Sequence, residues 1–126
     1  MNRKELEDYI ADVYGVCGEF PWADAPSYAV FRHSNNRKWF ALVMDIPKEK
    51  LGLSDKGMLD ILNVKCEPVM IDCLRTEPGF FPAYHMNKTN WITVALDGSV
   101  NHEKIKMLLD ISYNLTAPKV RKRREQ

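Results

Sequence analysis

Six side chains capable of chemistry crowd into eight residues near the middle of this chain: Tyr84, His85, Asn87, Lys88, Asn90 and Trp91, within the segment PAYHMNKTNWITV, Pro82 to Val94. They are a phenol, an imidazole, two carboxamides, an ammonium and an indole. Each offers hydrogen-bond donors, and several present flat faces. Such a mixture suits stacking on a planar ligand or contact with phosphate. It equally suits a turn between two strands, with Asn87-Lys88 reversing the chain, Tyr84 and Trp91 packing, and the amides bonding local backbone. Residue types alone favour the turn.

Elsewhere the chemistry is sparse. The sequence has no P-loop, no G-x-G-x-x-G, no H-E-x-x-H and no G-x-S-x-G. His33, His85 and His102 fall on different elements, and nothing in their spacing brings them together, so no metal is expected. Glu5, Asp8 and Asp12 share a helical face and read as a solvated surface. A His-Lys-Tyr set could move protons if it converged in a cleft, but no paired carboxylate stands at a motif position. The expectation is a non-enzymatic protein without a cofactor. Cys17, Cys66 and Cys73 are odd in number, far apart and form no C-x-x-C. They read as free, mostly buried thiols in a reducing compartment.

The elements that must position these residues are legible in outline. Asn2 caps a first helix, with Glu5 three residues on as in a capping box. Leu6, Tyr9, Ile10, Val13 and Cys17 recur at helical spacing, and Gly15 or Gly18 ends the helix. Glu19 to Ser27 is a loop from which Phe20 and Trp22 fold back onto the core. Strands follow at Tyr28 to His33 and Lys38 to Ile46, joined by a tight turn at Ser34, Asn35 and Asn36. The second is apolar on both faces and reads as a central strand. Pro47 to Gly57 is an exposed loop, and Leu59 to Cys66 a third strand. Pro68 opens a short helix with Met70, Cys73 and Leu74 as its apolar stripe. A strand over Asn90 to Leu96, a turn at Asp97-Gly98 and a final helix to about Asn114 complete the order. Ile105, Leu108, Leu109 and Ser112 line one face of that helix. The fold class is α+β, an antiparallel sheet with flanking helices in the order α-β-β-β-α-β-β-α.

Composition agrees with this. At 126 residues, 45% hydrophobic and 28% charged, the chain is of a size and make-up that buries one core. No apolar run approaches the roughly 18 residues of a membrane span. The N-terminus, MNRKELEDYI, lacks an apolar signal-type region, so the cytoplasm is the expected location. The net charge of +1 conceals an asymmetry. Lys119, Arg121, Lys122, Arg123 and Arg124 cluster at the C-terminus, leaving 13 basic against 16 acidic residues before them, a body charge of −3. Residues 1–117 are expected to form one domain, and 118–126 a basic, disordered tail.

The stretch Tyr84-His85-Met86-Asn87-Lys88, with Trp91-Ile92-Thr93-Val94 two residues later, resembles the defining motif of the MmcQ/YjbR family. Trp39-Phe40-Ala41-Leu42, Asn63-Val64-Lys65-Cys66 before an acidic residue and Pro68, Pro78-Gly79, and Asp97-Gly98-Ser99-Val100 also fit that pattern. Glu67 stands where Asp is usual, and residues 47–60 are longer than the family pattern. The resemblance implies a CyaY-like, double-wing arrangement and a DNA-binding or regulatory role. On that reading Tyr84, His85, Asn87, Lys88, Asn90 and Trp91 contact nucleic acid, and the five basic tail residues add sequence-independent attraction. The body charge points to weak, salt-sensitive binding. A monomer is expected. The alternative is a protein-interaction or small-ligand module in which Tyr84 and Trp91 line a pocket and His85 orients the ligand.

Overall fold

Asn2 and Glu5 form a reciprocal pair at the start of α1 (Arg3–Tyr14): the Asn2 side chain accepts from the Glu5 amide, and the Glu5 carboxylate accepts from the Asn2 amide, both at 2.9 Å. Gly15, at φ 67°, closes the helix in the left-handed conformation that glycine adopts freely. The apolar stripe expected along the helix is corrected at two positions. Cys17 lies beyond the helix and is exposed, and Val13 sits on the wet side at 50% exposure. Leu6 and Ile10 supply the buried stripe.

The computed structural model describes residues 1–118; the basic cluster Lys119, Arg121, Lys122, Arg123 and Arg124 lies outside the described residues. After α1 come β1 (Ala29–Arg32), β2 (Trp39–Pro47), β3 (Met58–Lys65), α2 (Pro68–Leu74), β4 (Phe80–Pro82), β5 (Trp91–Ala95) and α3 (His102–Thr116). The five strands form one antiparallel sheet in the order β1-β2-β3-β5-β4. The α+β class and the order α-β-β-β-α-β-β-α are as the sequence predicts; β4 is the strand whose residues the sequence pattern does not place.

The two faces of the sheet are covered differently. Phe31, Ala41, Val43, Leu62, Val64, Ile92 and Val94 pack with Leu6 and Ile10 of α1 and with Ile105, Leu108 and Leu109 of α3. On the opposite face Val30, Leu42, Met44, Ile46, Leu59, Ile61 and Ala95 meet loops instead of helices. Trp22 and Tyr28, Leu51 and Leu53, and Tyr84 and Met86 come from three separate loops to cover them. β2 lies inside the sheet between β1 and β3 and is covered on both faces, which explains why it is apolar on both sides.

A bulge in β2 breaks the alternation. Phe31 pairs with Ala41, yet the next residue, Arg32, pairs with Trp39, leaving Phe40 as the extra residue. Phe40 therefore joins Ala41 and Val43 on the helical face, and Trp39 is turned to the helix-free face. The Phe40 carbonyl accepts a 2.6 Å bond from the Ser112 hydroxyl of α3, and the same hydroxyl accepts from the Lys65 amide at 2.9 Å.

Local corrections follow from hydrogen bonding and packing. In the β1–β2 hairpin the left-handed residue is Arg37, at φ 64°, not an asparagine. Asn36 serves instead through its side chain, accepting from Lys38 N and donating to Thr116 O, each at 3.0 Å. Phe20 is 57% exposed and does not join the core. In α2 the buried pair is Ile71 and Leu74, with Met70 partly buried and Cys73 exposed. Only Cys66 of the three thiols is buried, and burial pushes its pKa up to about 11, so it is inert as a nucleophile at neutral pH. Residues 47–57 contain a single 3₁₀ turn, Lys48–Leu51.

Candidate functional site

Asn63 and Thr93 are direct partners across β3 and β5, both fully buried and on the helix-free side of the sheet. Buried polar groups require partners. The Thr93 hydroxyl donates to Asn63 Oδ1 and accepts from the Tyr84 amide at 2.9 Å. Asn63 Nδ2 donates to the Tyr84 carbonyl, also at 2.9 Å. Both backbone polar groups of Tyr84 are thus clamped by the sheet. The motif loop is tied down further along. Asn87 Oδ1 accepts from the amides of Thr89 at 2.8 Å and Asn90 at 3.3 Å. The Asn87 carbonyl takes the Trp91 amide at 3.0 Å, and the Asn90 carbonyl takes the Cys66 amide at 2.9 Å. Lys88 Nζ bonds the Ala83 carbonyl at 2.8 Å.

His85 is held at φ 60°, in the left-handed region where non-glycine residues are uncommon. Its ring is exposed and lies 4.0 Å, centre to centre, from that of Tyr84. Together with Met86 it reaches a cavity of about 300 Å³ on the helix-free face. Trp22, Asp24, Ala25 and Tyr28 line one side, and Trp39, Leu42 and Met44 of β2 line another. Trp22 stands nearly perpendicular to Trp39, at 83° and 5.7 Å, and to Tyr28, at 78° and 6.2 Å.

The loop that brings Trp22 and Tyr28 is anchored by polar contacts. Ala25 N reaches the Trp22 carbonyl at 3.3 Å and Tyr28 N the Ala25 carbonyl at 3.1 Å. The Ser27 hydroxyl donates to Asp45 of β2, and the Arg3 guanidinium donates to the Ser27 carbonyl. Burial raises the Tyr28 pKa, helped by the neighbouring Tyr84, Asp45 and Asp24 charges. The Arg32 guanidinium lies 5.7 Å from the centre of the Trp39 ring. Its Nε is 3.2 Å from Glu19 but is not aligned for a hydrogen bond, so Glu19 acts on it as a counter-charge.

The structure divides the six motif residues. Tyr84 packs on the helix-free face and His85 lines the cavity. Asn87 and Lys88 spend side-chain groups on the loop itself, and Asn90 is tied in through its backbone. Trp91 opens β5, half-buried, opposite Lys65. Trp22, Asp24, Tyr28, Trp39 and Met86 join the cavity, and none of them was marked as a site residue by the motif. The one signal in the sequence was that two of only three tryptophans lie outside the motif, at a loop and at a strand start. Among the described residues no three His, Cys, Asp or Glu side chains are grouped to hold a metal ion.

These features define a class: a small α+β protein whose antiparallel sheet carries helices on one face and, on the other, an aromatic cavity closed by loops. The chain belongs to the YjbR family, whose model matches residues 4–115. It is 38% identical over 116 residues to the uncharacterized protein YyaQ of Bacillus subtilis, covering 92% of this chain and 98% of YyaQ. Among solved structures, a crystal structure of a Pseudomonas syringae protein superposes with a TM-score of 0.91 at 45% identity, covering 93% of this chain and all of that one. Deinococcus radiodurans protein DR2400 superposes at 0.67 with 25% identity, over 90% of this chain and 77% of its own.

Proposed function

We propose that this chain is a non-enzymatic, monomeric small-ligand-binding protein that takes its ligand in the cavity between the Trp22–Tyr28 loop and His85-Met86. One observation carries the reading. Three aromatic rings, from a loop and from a bulged strand start, converge on a space of about 300 Å³ over an apolar floor, at the low end of small-molecule sites. The rigid clamp on Tyr84 holds His85 at the cavity in a strained backbone conformation, as ligand-contacting residues often are. An NMR screen of a small-molecule library tests it. Binders are expected to shift the indole N–H signals of Trp22 and Trp39 and the His85 ring together. A library that leaves all three unmoved rejects the reading.

A second reading keeps DNA as the partner and is favoured by a separate depression. Lys50 and Lys88 both line it, beside Pro82, Ala83 and Tyr84, and could meet phosphate oxygens. Against it stand the −3 body charge and the Lys88 amine already engaged by Ala83. Anisotropy of a labelled duplex at low salt decides: this reading requires Lys50→Ala and Lys88→Ala to weaken binding additively.

A further inference from the structure

We infer that the cavity selects a methylated ammonium cation, a small free molecule of the choline type; the inference rests on the small-ligand reading above. Parallel aromatic rings make a slot for planar ligands. Here Trp22 is nearly perpendicular to both Trp39 and Tyr28, so the rings form walls meeting at corners, as a box does. A box suits a compact, rounded group. The negative faces of tryptophan and tyrosine attract cations, and quaternary ammonium groups are recognised by cages of such rings.

The rest of the lining points the same way. Leu42, Met44 and Met86 offer methyl and thioether surface and no strong hydrogen-bond acceptor for an N–H. Against these three side chains a primary ammonium would leave donors unpaired, with Asp24 at the rim able to receive only part of them, whereas a fully methylated nitrogen has none to satisfy. Among the described residues Asp24 is the one acid in the lining, and no lysine or arginine lines the cavity. Asp45 adds negative charge beside Tyr28, while near Trp39 the Glu19 carboxylate is shared between Arg32 and Arg37 and only partly offsets the guanidinium there. Within the described lining itself the formal charge is that of Asp24.

The test is titration of the full chain with choline, with tetramethylammonium and with 3,3-dimethylbutan-1-ol, the neutral carbon analogue of choline. Tryptophan fluorescence and indole N–H shifts are the readouts. Choline is expected to bind about tenfold more tightly than the neutral analogue, the increment of a partly desolvated cation–π site. Trp22→Leu should remove most binding of both. Asp24→Asn, a surface change that leaves the fold intact, should weaken choline several-fold and leave the neutral analogue unchanged. Equal affinity for choline and the analogue overturns the inference, as does silence toward both cations while other library compounds shift the same signals; in those cases the small-ligand reading survives. Silence toward every compound removes both. Co-sedimentation with phosphatidylcholine vesicles, without response to free choline, overturns the assignment to a free molecule.

Discussion

Thr93 shapes the motif loop more than most residues within the motif do. Its hydroxyl is the single group that both receives the Tyr84 amide and satisfies Asn63 Oδ1. Thr93→Val keeps the shape and β-propensity but leaves a buried amide and a buried carbonyl oxygen unpaired, so the expected loss is roughly 2–4 kcal/mol in urea unfolding. The loss should be accompanied by faster exchange of the Tyr84 amide. None of this could be read from Thr93 in isolation, because a threonine in a strand is ordinary until its cross-strand partner is known. His33 provides a second test at this scale. It is 3% exposed, its Nε2 lies 2.8 Å from Thr116 Oγ1, and it packs on Phe40 and Tyr113. Burial lowers its pKa below the ordinary 6.5, against a hydrogen bond to Tyr113 backbone that raises it. A base with a lowered folded-state pKa binds its proton more readily when unfolded. Its contribution is therefore complete above about pH 6.5 and declines as pH falls toward the folded value. Urea midpoints should decline below about pH 6.5, and His33→Gln should flatten that slope.

At the scale of elements, the legible parts are those specified by local chemistry. The capping box at Asn2 and Glu5, proline at the first position of α2, and the Ile105, Leu108, Leu109 and Ser112 face of α3 each depend on residues within one helix. The bulge in β2 depends on pairing between strands. Period-two alternation from Ala41 and Val43 would place Trp39 under the helices, and the extra residue at Phe40 sends it to the cavity instead. The cavity was hidden in the sequence for that reason, and because Trp22 and Tyr28 reach it from a loop with no period. The element that secures the bulge is α3, through Ser112. Ser112→Ala removes the donor to the Phe40 carbonyl and the acceptor for the Lys65 amide. The expected cost is about 2–3 kcal/mol by chemical denaturation. Loosening of the bulge should also blunt the Trp39 response to any cavity ligand, more than an equally destabilising change at Leu6 in α1 would.

For the whole molecule, charge and the motif pull in different directions. The described fold carries 16 acidic residues and 13 basic ones, and the five basic tail residues with Glu125 bring the chain to +1. The motif's own polar groups are largely committed to the loop: Lys88 to Ala83 and Asn87 to the amides of Thr89 and Asn90. The DNA role implied by family resemblance then depends on where attraction resides. Lysine and arginine release counterions when they neutralise phosphates, so deleting one phosphate-bound cation lowers the salt slope by about one unit. If the tail supplies the attraction, removal of residues 118–126 should reduce duplex affinity to background at low salt. The slope of log affinity against log salt should fall by up to about five units, one for each tail cation. A truncated chain that keeps its slope would place the phosphate-binding groups on the folded body, with Lys50 and Lys88 as the side chains to mutate next. The cavity predicts an independent result from the same truncated chain. Its aromatic walls and Asp24 all lie before residue 87, so ligand shifts at Trp22, Trp39 and His85 should be unchanged by loss of the tail.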